Sequence, residues 1–455
     1  VSVEHRLAEF VCTLQPGDVP PPAQRVLRQM LLAVAGTALA GAAEDGVPAL
    51  RELLRERGGA AQATTLVYGD RLPAAAAARF NGTLCRALDY CDAMAPGPHI
   101  GSSLLPAALA AAELAGGCSG AEFIAALAAG AELSSRLNLS ESQYDGFDPT
   151  GVLVVFAAAA AASRVLKLTP LQTLHALALA FNRCGGSFQS NVDGTLAVRM
   201  VQGWVAETGV DCAQMAQRGI TGPPNFISGH YGYAHLYGRD RLDLHAITAG
   251  LGHEWQLQRV VFKKYPSCGV TQGVTELTLA LVREEGLSAE QVSGALVRLP
   301  PYAHKLVGHP FRIGSNPRVD AQFSASYCVA NAIVRGASLL AHFAPAQVAE
   351  PRLHRLIERI DVIADAALDA RGHTAVDLQI DTLDGRTLTR SLDVAPGFPG
   401  AALTEAQHRA RFDDCVAYAP LALPSAQIER LIGTIDRLHA LGDVRELATL
   451  LTAPR

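Results

Sequence analysis

The run Leu27-Arg28-Gln29-Met30-Leu31-Leu32-Ala33-Val34-Ala35 sets the fold class. Its apolar positions Leu27, Met30, Leu31, Val34 and Ala35 recur at three and four residues, the spacing that gathers side chains on one face of an α-helix. The same text runs from Val3 to about Phe262, and strand-like alternation is nearly missing there. Gln15-Pro16-Gly17-Asp18, Gly116-Gly117-Cys118-Ser119-Gly120 and Gly222-Pro223-Pro224 punctuate it as helix breaks. Ser119 followed by Glu122 predicts a capping box ahead of a helix over Phe123 to Leu133.

The character changes after Tyr265-Pro266. Val292 to Leu299 alternates like a half-buried strand, and Ala375 to Ile380 is joined to Thr387 to Leu392 across Leu383-Asp384-Gly385-Arg386, a hairpin with an Asp-Gly turn. Helical text lies between these strands at Ala321 to Arg335 and Ala346 to Ile357, then resumes from Thr404 and includes Gln427 to Leu441. The expected fold is mainly α, with a large all-helical domain built from both termini (1–263 and 402–455) and a smaller inserted α+β lid domain (264–401). A chain of 455 residues is long for one core and suits two units. Ligands commonly sit between domains.

Composition excludes several functions. Hydrophobic residues make up 49% and charged residues 18%, the balance of a folded soluble protein. A formal net charge of -5 leaves no electrostatic footprint for nucleic acid or an anionic membrane, so an anionic ligand must be held by local cations. The apolar run Val152 to Ala162 is too short for the ~20 residues of a spanning helix. The start Val1-Ser2-Val3-Glu4-His5-Arg6 lacks a basic region followed by an apolar block, which predicts a cytoplasmic address. Nine scattered cysteines without a C-x-x-C pair predict reduced thiols.

Ionisable chemistry concentrates in Asn81-Gly82-Thr83-Leu84-Cys85-Arg86-Ala87-Leu88-Asp89-Tyr90-Cys91-Asp92 and in His99-Ile100-Gly101-Ser102-Ser103-Leu104-Leu105-Pro106. Asp89 and Asp92 stand at i and i+3, so a helix would place both on one face, and His99 would follow a Gly/Pro break just ahead of the next helix. That spacing also suits a divalent metal, but the second acidic pair, Asp413-Asp414, has no third carboxylate three residues on. The plainer alternative is capping and loop bracing, strongest for Asp92. His253-Glu254-Trp255-Gln256-Leu257 fails the zinc motif at Leu257, and neither G-x-G-x-x-G nor a Walker sequence occurs. No metal and no cofactor are therefore expected. Lys263-Lys264-Tyr265-Pro266 sits where helical text gives way to the lid, and a desolvated lysine there acts as a base or anchors a carboxylate, against the plain reading of two solvated boundary lysines. Tyr144 stands in a loop before Asp148-Pro149-Thr150-Gly151, where a phenol exchanges a proton or simply packs.

These stretches resemble the MmgE/PrpD family, which includes 2-methylcitrate dehydratase, cis-aconitate decarboxylase and iminodisuccinate epimerase. Ala78 to Asp89 is similar to "A-x-x-N-G-x-x-x-x-x-L-D", His99 to Pro106 to "H-P-x-x-x-x-L-P", and Asp148-Pro149-Thr150-Gly151 to "H-P-T-G". Gly219 to Pro224 resembles "G-F-T-G-P", Lys263 to Cys268 "K-x-Y-P-x-C", and Ala321-Gln322-Phe323-Ser324 with Tyr327 "A-K-F-S-x-x-Y". The resemblance covers nearly the whole chain in family order. It implies the same domain arrangement, a homodimer through the helical domain, and catalytic positions at Asp89 and Lys263.

The chain departs from that pattern at Asp148, Val198, Val201 and Gln272, each replacing a cationic or proton-carrying group. Loss of hydroxide from a tertiary alcohol needs an acid as well as a base, whereas epimerisation beside a carboxylate needs proton removal on one face and return on the other. The leading expectation is therefore a cofactor-independent epimerase acting at the α-carbon of a small anionic polycarboxylate, similar to iminodisuccinate epimerase. The alternatives are a 2-methylcitrate-type dehydratase, a lyase, and a catalytically silent polycarboxylate-binding member of the fold. Lys263, His99, Tyr144 and Asp89 are the expected catalytic residues. Asp92, Arg86, Arg199, Asp148, Gln272 and Lys264 are the expected substrate-binding set.

Overall fold

A computed structural model describes residues 1–454. The protein is mainly α with a few strands in small sheets. Contacts divide it into two units, one built from Val1–Val260 together with the chain from Ala419 onward, the other from Val261–Tyr418.

The first unit contains α1 (Val3–Thr13), α2 (Pro21–Ala40), α3 (Ala74–Arg86), α4 (Gly101–Leu114), α5 (Gly120–Arg136), α6 (Pro149–Val165), α7 (Pro170–Phe181) and α8 (Ala197–Gln217). At its centre lies α6, every residue of which is buried except Arg164. Helices α4, α5, α7 and α8 all pack on it. The run Val152 to Ala162 is thus the axis of the core, and its small side chains let neighbouring helices approach. Helix α8 also packs extensively on α3. A Cβ at Gly82 would lie 2.7 Å from the Gln202 carbonyl oxygen, and one at Gly203 would run into Thr83 and Arg79. The two glycines let these backbones touch.

Ser119 caps α5, its side chain accepting the Glu122 N–H, which is one half of the expected capping box; the Glu122 carboxylate lies 3.4 Å from Arg164 instead of completing it. One apolar segment escapes the sequence reading. Pro21–Ala43 is long and apolar enough to span a bilayer by length and composition, and 72% of its most apolar window is buried. The C-terminal segment completes this unit. Helix Ser425–Asp436 packs on α2, Val67 forms a bridge with Thr452, Gly120 N–H donates to Leu441 O at 2.7 Å and Val444 N–H to Cys118 O at 3.0 Å.

The second unit holds a four-stranded sheet of β1 (Val292–Leu299), β2 (Ile360–Ala364), β3 (Val376–Thr382) and β4 (Thr387–Leu392), in the order β2-β1-β3-β4. The expected strand and hairpin are both present, β3 and β4 pairing antiparallel with Asp381 opposite Thr387. Strand β2, parallel to β1, follows helical text and escaped the periodicity reading. Ala295, Val297 and Leu299 share a core with Val376, Leu378 and Ile380, joined by residues of α9 (Gln272–Glu285) and α10 (Ala325–Arg335).

The helical text at Ala321 to Arg335 is two helices, because Ser324 ends Pro317–Gln322 and caps α10. That at Ala346 to Ile357 is likewise split ahead of Pro351. Helix α11 (Glu405–Tyr418), which the sequence reading groups with the helical body, makes its contacts in the second unit. The His408 ring packs on Phe262 at 4.8 Å, and Asp414 accepts the Leu340 N–H at 3.0 Å.

Candidate active site

Helix α3 ends at Arg86, and the chain then turns sharply. Asp89 adopts φ +52°, a left-handed conformation that costs a non-glycine residue on the order of 1 kcal/mol and that concentrates at functional sites. Its N–H bonds the Arg86 carbonyl at 3.1 Å. Asp92 lies beyond, in a short extended segment, Asp92–Met94. The expectation that Asp89 and Asp92 share a helix face is therefore wrong, because the helix has already stopped.

The turn brings Asp89 back onto Arg86, and the two carry an ion pair. Arg86 Nη2 lies 3.3 Å from Nε2 of His99, and Asp89 Oδ1 lies 3.8 Å from the same nitrogen. Nδ1 of His99 lies 2.8 Å from the Asp92 carbonyl oxygen. A guanidinium only donates and a carbonyl only accepts, so this pattern assigns the proton to Nδ1 and leaves Nε2 with its lone pair. Cys91 Sγ stands 3.6 Å from Nδ1. Burial works against the charge of Arg86, but Asp89, Cys91 and Asp148 outweigh it and hold the group above its usual range.

Two helix N-termini frame this cluster. The fully buried Asp92 carboxylate accepts the Ile100 N–H at 3.2 Å and the Gly101 N–H at 3.0 Å, capping the start of α4. It thus takes a bracing role in place of the expected substrate-binding one. Asp148 caps α6, accepting the Thr150 N–H at 2.8 Å and the Gly151 N–H at 3.3 Å. Burial pushes its carboxyl up, against the pull of Arg86 and the two N–H groups. Thr150 Oγ1 accepts the His99 N–H at 3.1 Å, and a Cβ at Gly97 would lie 2.7 Å from the Pro149 ring, so the His99 loop rests on the first turn of α6.

Other expected residues stand apart. The Tyr144 hydroxyl donates to Asn138 Oδ1 at 2.6 Å, and burial pushes its phenol above the usual range, with Asp148 adding to the effect. Asn138 Nδ2 holds the Ala95 carbonyl at 2.9 Å, tying Tyr144 to the loop that leads into His99 but not to the imidazole itself. Arg199 turns to another loop, donating to the Asp45 carbonyl at 2.7 Å with Glu44 at 3.7 Å. Sequence reasoning passed over Cys91, Thr150 and Asn138. Thr150 was within reach, because it lies in the Asp148-Pro149-Thr150-Gly151 turn and a threonine at the start of a helix has a hydroxyl to spare.

In the second unit, Lys263 is 4% exposed and follows the short strand Val260–Phe262. Lys264 pairs with Glu276 at 2.6 Å, and Tyr265 donates its hydroxyl to the same carboxylate at 2.6 Å. Gln272 is fully buried and clamps the intervening loop: Oε1 accepts the Tyr265 N–H at 2.9 Å while Nε2 reaches the carbonyls of Tyr265, Ser267 and Cys268 at 3.0 to 3.2 Å. Both residues, expected to bind substrate, are engaged in holding their own loop. Among the described residues no group of three or more His, Cys, Asp or Glu side chains is arranged to hold a metal ion.

An imidazole lone pair beside a buried guanidinium, at the paired starts of two helices, is equipped to take a proton next to a carboxylate. The chain belongs to the MmgE/PrpD family: residues 5–244 match the MmgE/PrpD N-terminal domain and residues 265–433 the MmgE/PrpD C-terminal domain. It is similar to the cis-aconitate decarboxylase-like protein oryM of Aspergillus oryzae, with 25% identity over 99% of this chain and 97% of that protein. It is also similar to the cis-aconitate decarboxylases of Homo sapiens and Mus musculus, each 25% identical over 84% of this chain and 80% of theirs.

Proposed function

We propose that the protein is a lyase acting on a small polycarboxylate, with His99 as the base and Arg86 as the group that steadies charge beside it. The carrying observation is that relatives spanning 84% to 99% of the chain are named for a decarboxylase activity, which is lyase chemistry. This favours the dehydratase or lyase alternative over the epimerase reading. In the elimination form, His99 Nε2, on release of the Arg86 N–H that it accepts at 3.3 Å, takes the proton from the carbon next to a carboxylate. The electron pair left behind forms the new double bond as the leaving group departs from the neighbouring carbon.

Lys263 belongs to this proposal as the second catalytic residue, supported by its burial and its position in the family pattern. Incubation with candidate polycarboxylates in D₂O, followed by proton NMR, tests the reading. An alkene or a decarboxylated product is expected. Deuterium entering the α-position with no other product would return the epimerase, and no change with any substrate would leave a binding protein.

A further inference from the structure

We propose that a cavity in the first unit, whose lining does not include His99, is a second ligand site, and that it takes a small monocarboxylate with an apolar body. It does not depend on the lyase reading. The cavity encloses about 480 Å³ between Pro96, Leu139 just beyond α5, and the segment that runs from Leu242 to Arg259. That volume suits a small metabolite.

Two guanidiniums line it, and they are in opposite states. Arg136 is buried: Nε meets Glu132 at 2.6 Å, and the other two nitrogens donate to the carbonyls of Ile247, Ala249, Gly250 and Glu254. It fixes the wall and has no N–H left for a ligand. Arg259 is exposed, and among the described residues its side chain makes no hydrogen bond or ion pair. Gln256, at the start of the same short turn, has a side-chain amide that is likewise uncommitted. A carboxylate entering here meets a guanidinium fork with an amide donor near it, the arrangement that guanidinium recognises best. The one carboxylate of the lining, Asp243, is exposed and already accepts the His245 and Ala246 N–H groups at 2.9 and 3.2 Å. A second negative charge on the ligand would face Asp243 with no further lysine or arginine in the lining to meet it. The rest of the wall, including Pro96, Leu139, Leu242 and Ile247, is apolar and suits a hydrocarbon body.

The cavity also borders the loop that leads to His99. Asn138 lies on its edge and holds the Ala95 carbonyl through Nδ2 at 2.9 Å, four residues before the imidazole. An occupant packed against Pro96 and Asn138 therefore steadies that loop.

Titration calorimetry of the full chain with hexanoate and phenylacetate, beside succinate and hexanamide, tests the site without any turnover. At least one of the two monocarboxylates is expected to bind with a Kd below roughly 5 mM, and succinate and hexanamide at least about tenfold more weakly. Arg259→Gln should weaken that binding by about tenfold or more with an unchanged thermal melt, whereas His99→Asn should leave it within about twofold. Hydrogen exchange in peptides spanning residues 94–99 should slow with the bound monocarboxylate in the wild type and not in Arg259→Gln. Binding by neither monocarboxylate, an affinity unchanged in Arg259→Gln, or a loss in His99→Asn as large as in Arg259→Gln overturns the site. Succinate or hexanamide binding as tightly as the monocarboxylates overturns the ligand class. Binding lost in Arg259→Gln, but with exchange in residues 94–99 unaltered in the wild type, overturns the link to the His99 loop.

Discussion

Arg86 donates through Nη2 to Nε2 of His99 at 3.3 Å, while the Asp92 carbonyl takes the proton of Nδ1 at 2.8 Å. The ring is thereby held in one tautomer with its basic nitrogen beside a fixed positive charge. Replacing His99 by Asn removes that nitrogen while sparing the loop. Turnover in the His99→Asn variant should fall by about 10² to 10⁴, the range for loss of a general base, with the melting temperature nearly unchanged. Steady-state kinetics beside a thermal melt decides this, and activity near wild type would take His99 out of the chemistry.

Lys263→Met should lower kcat far more than it changes the fold. The residue is 4% exposed, and methionine fills a similar volume without the charge. A kcat within roughly threefold of wild type would remove Lys263 from the mechanism.

Asp92→Ala should damage stability more than chemistry. Its carboxylate accepts the N–H groups of Ile100 and Gly101 at the buried start of α4, and alanine leaves them without that acceptor. A loss of roughly 2–4 kcal/mol in urea unfolding is expected. Asp92→Asn, which keeps one acceptor oxygen, should lose less, and equal losses in the two variants would argue against capping.

Burial raises Asp414 from its ordinary value to about 6. A folded-state value above the unfolded one means that the native protein binds the extra proton between about pH 4 and pH 6. This contribution to stability is therefore present in acid and lost as pH rises through 6. Asp414→Asn should abolish that loss and stabilise the protein near pH 7.5 by up to about 3 kcal/mol, with no gain below pH 4. Melting temperatures of both proteins across this range provide the check.

Much of the fold was legible, and the reason is periodic burial. Helices such as α2 and strands such as β1 each bury one face, so their spacing shows in the sequence. Strand β2 did not show, because only Ile360 of its five residues is buried and its register is set by pairing with β1. At the site, His99 ahead of a helix followed from local signals. The pairing of Arg86 with Asp89 did not, since it depends on a left-handed turn at a non-glycine residue, which spacing rules treat as helix. Arg199 and Gln272 show a different limit, since their loop contacts could not be read from the motif. A charge or an amide in a matching motif looks the same in sequence whether it faces a ligand or a neighbouring loop.

The helical unit is stitched shut by its most distant parts: Val67 to Thr452, Gly120 to Leu441 and Cys118 to Val444. On the ribosome, where chains lengthen by roughly 5–20 residues per second, all of Val261–Tyr418 is made before those closing partners emerge. The smaller unit thus has its full complement of residues first, while the larger one waits with the apolar face of α2 uncovered where Ser425–Asp436 will dock. Order of synthesis and order of completion are inverted in this chain, and in the interval between them the face of α2 that Ser425–Asp436 covers has no such cover.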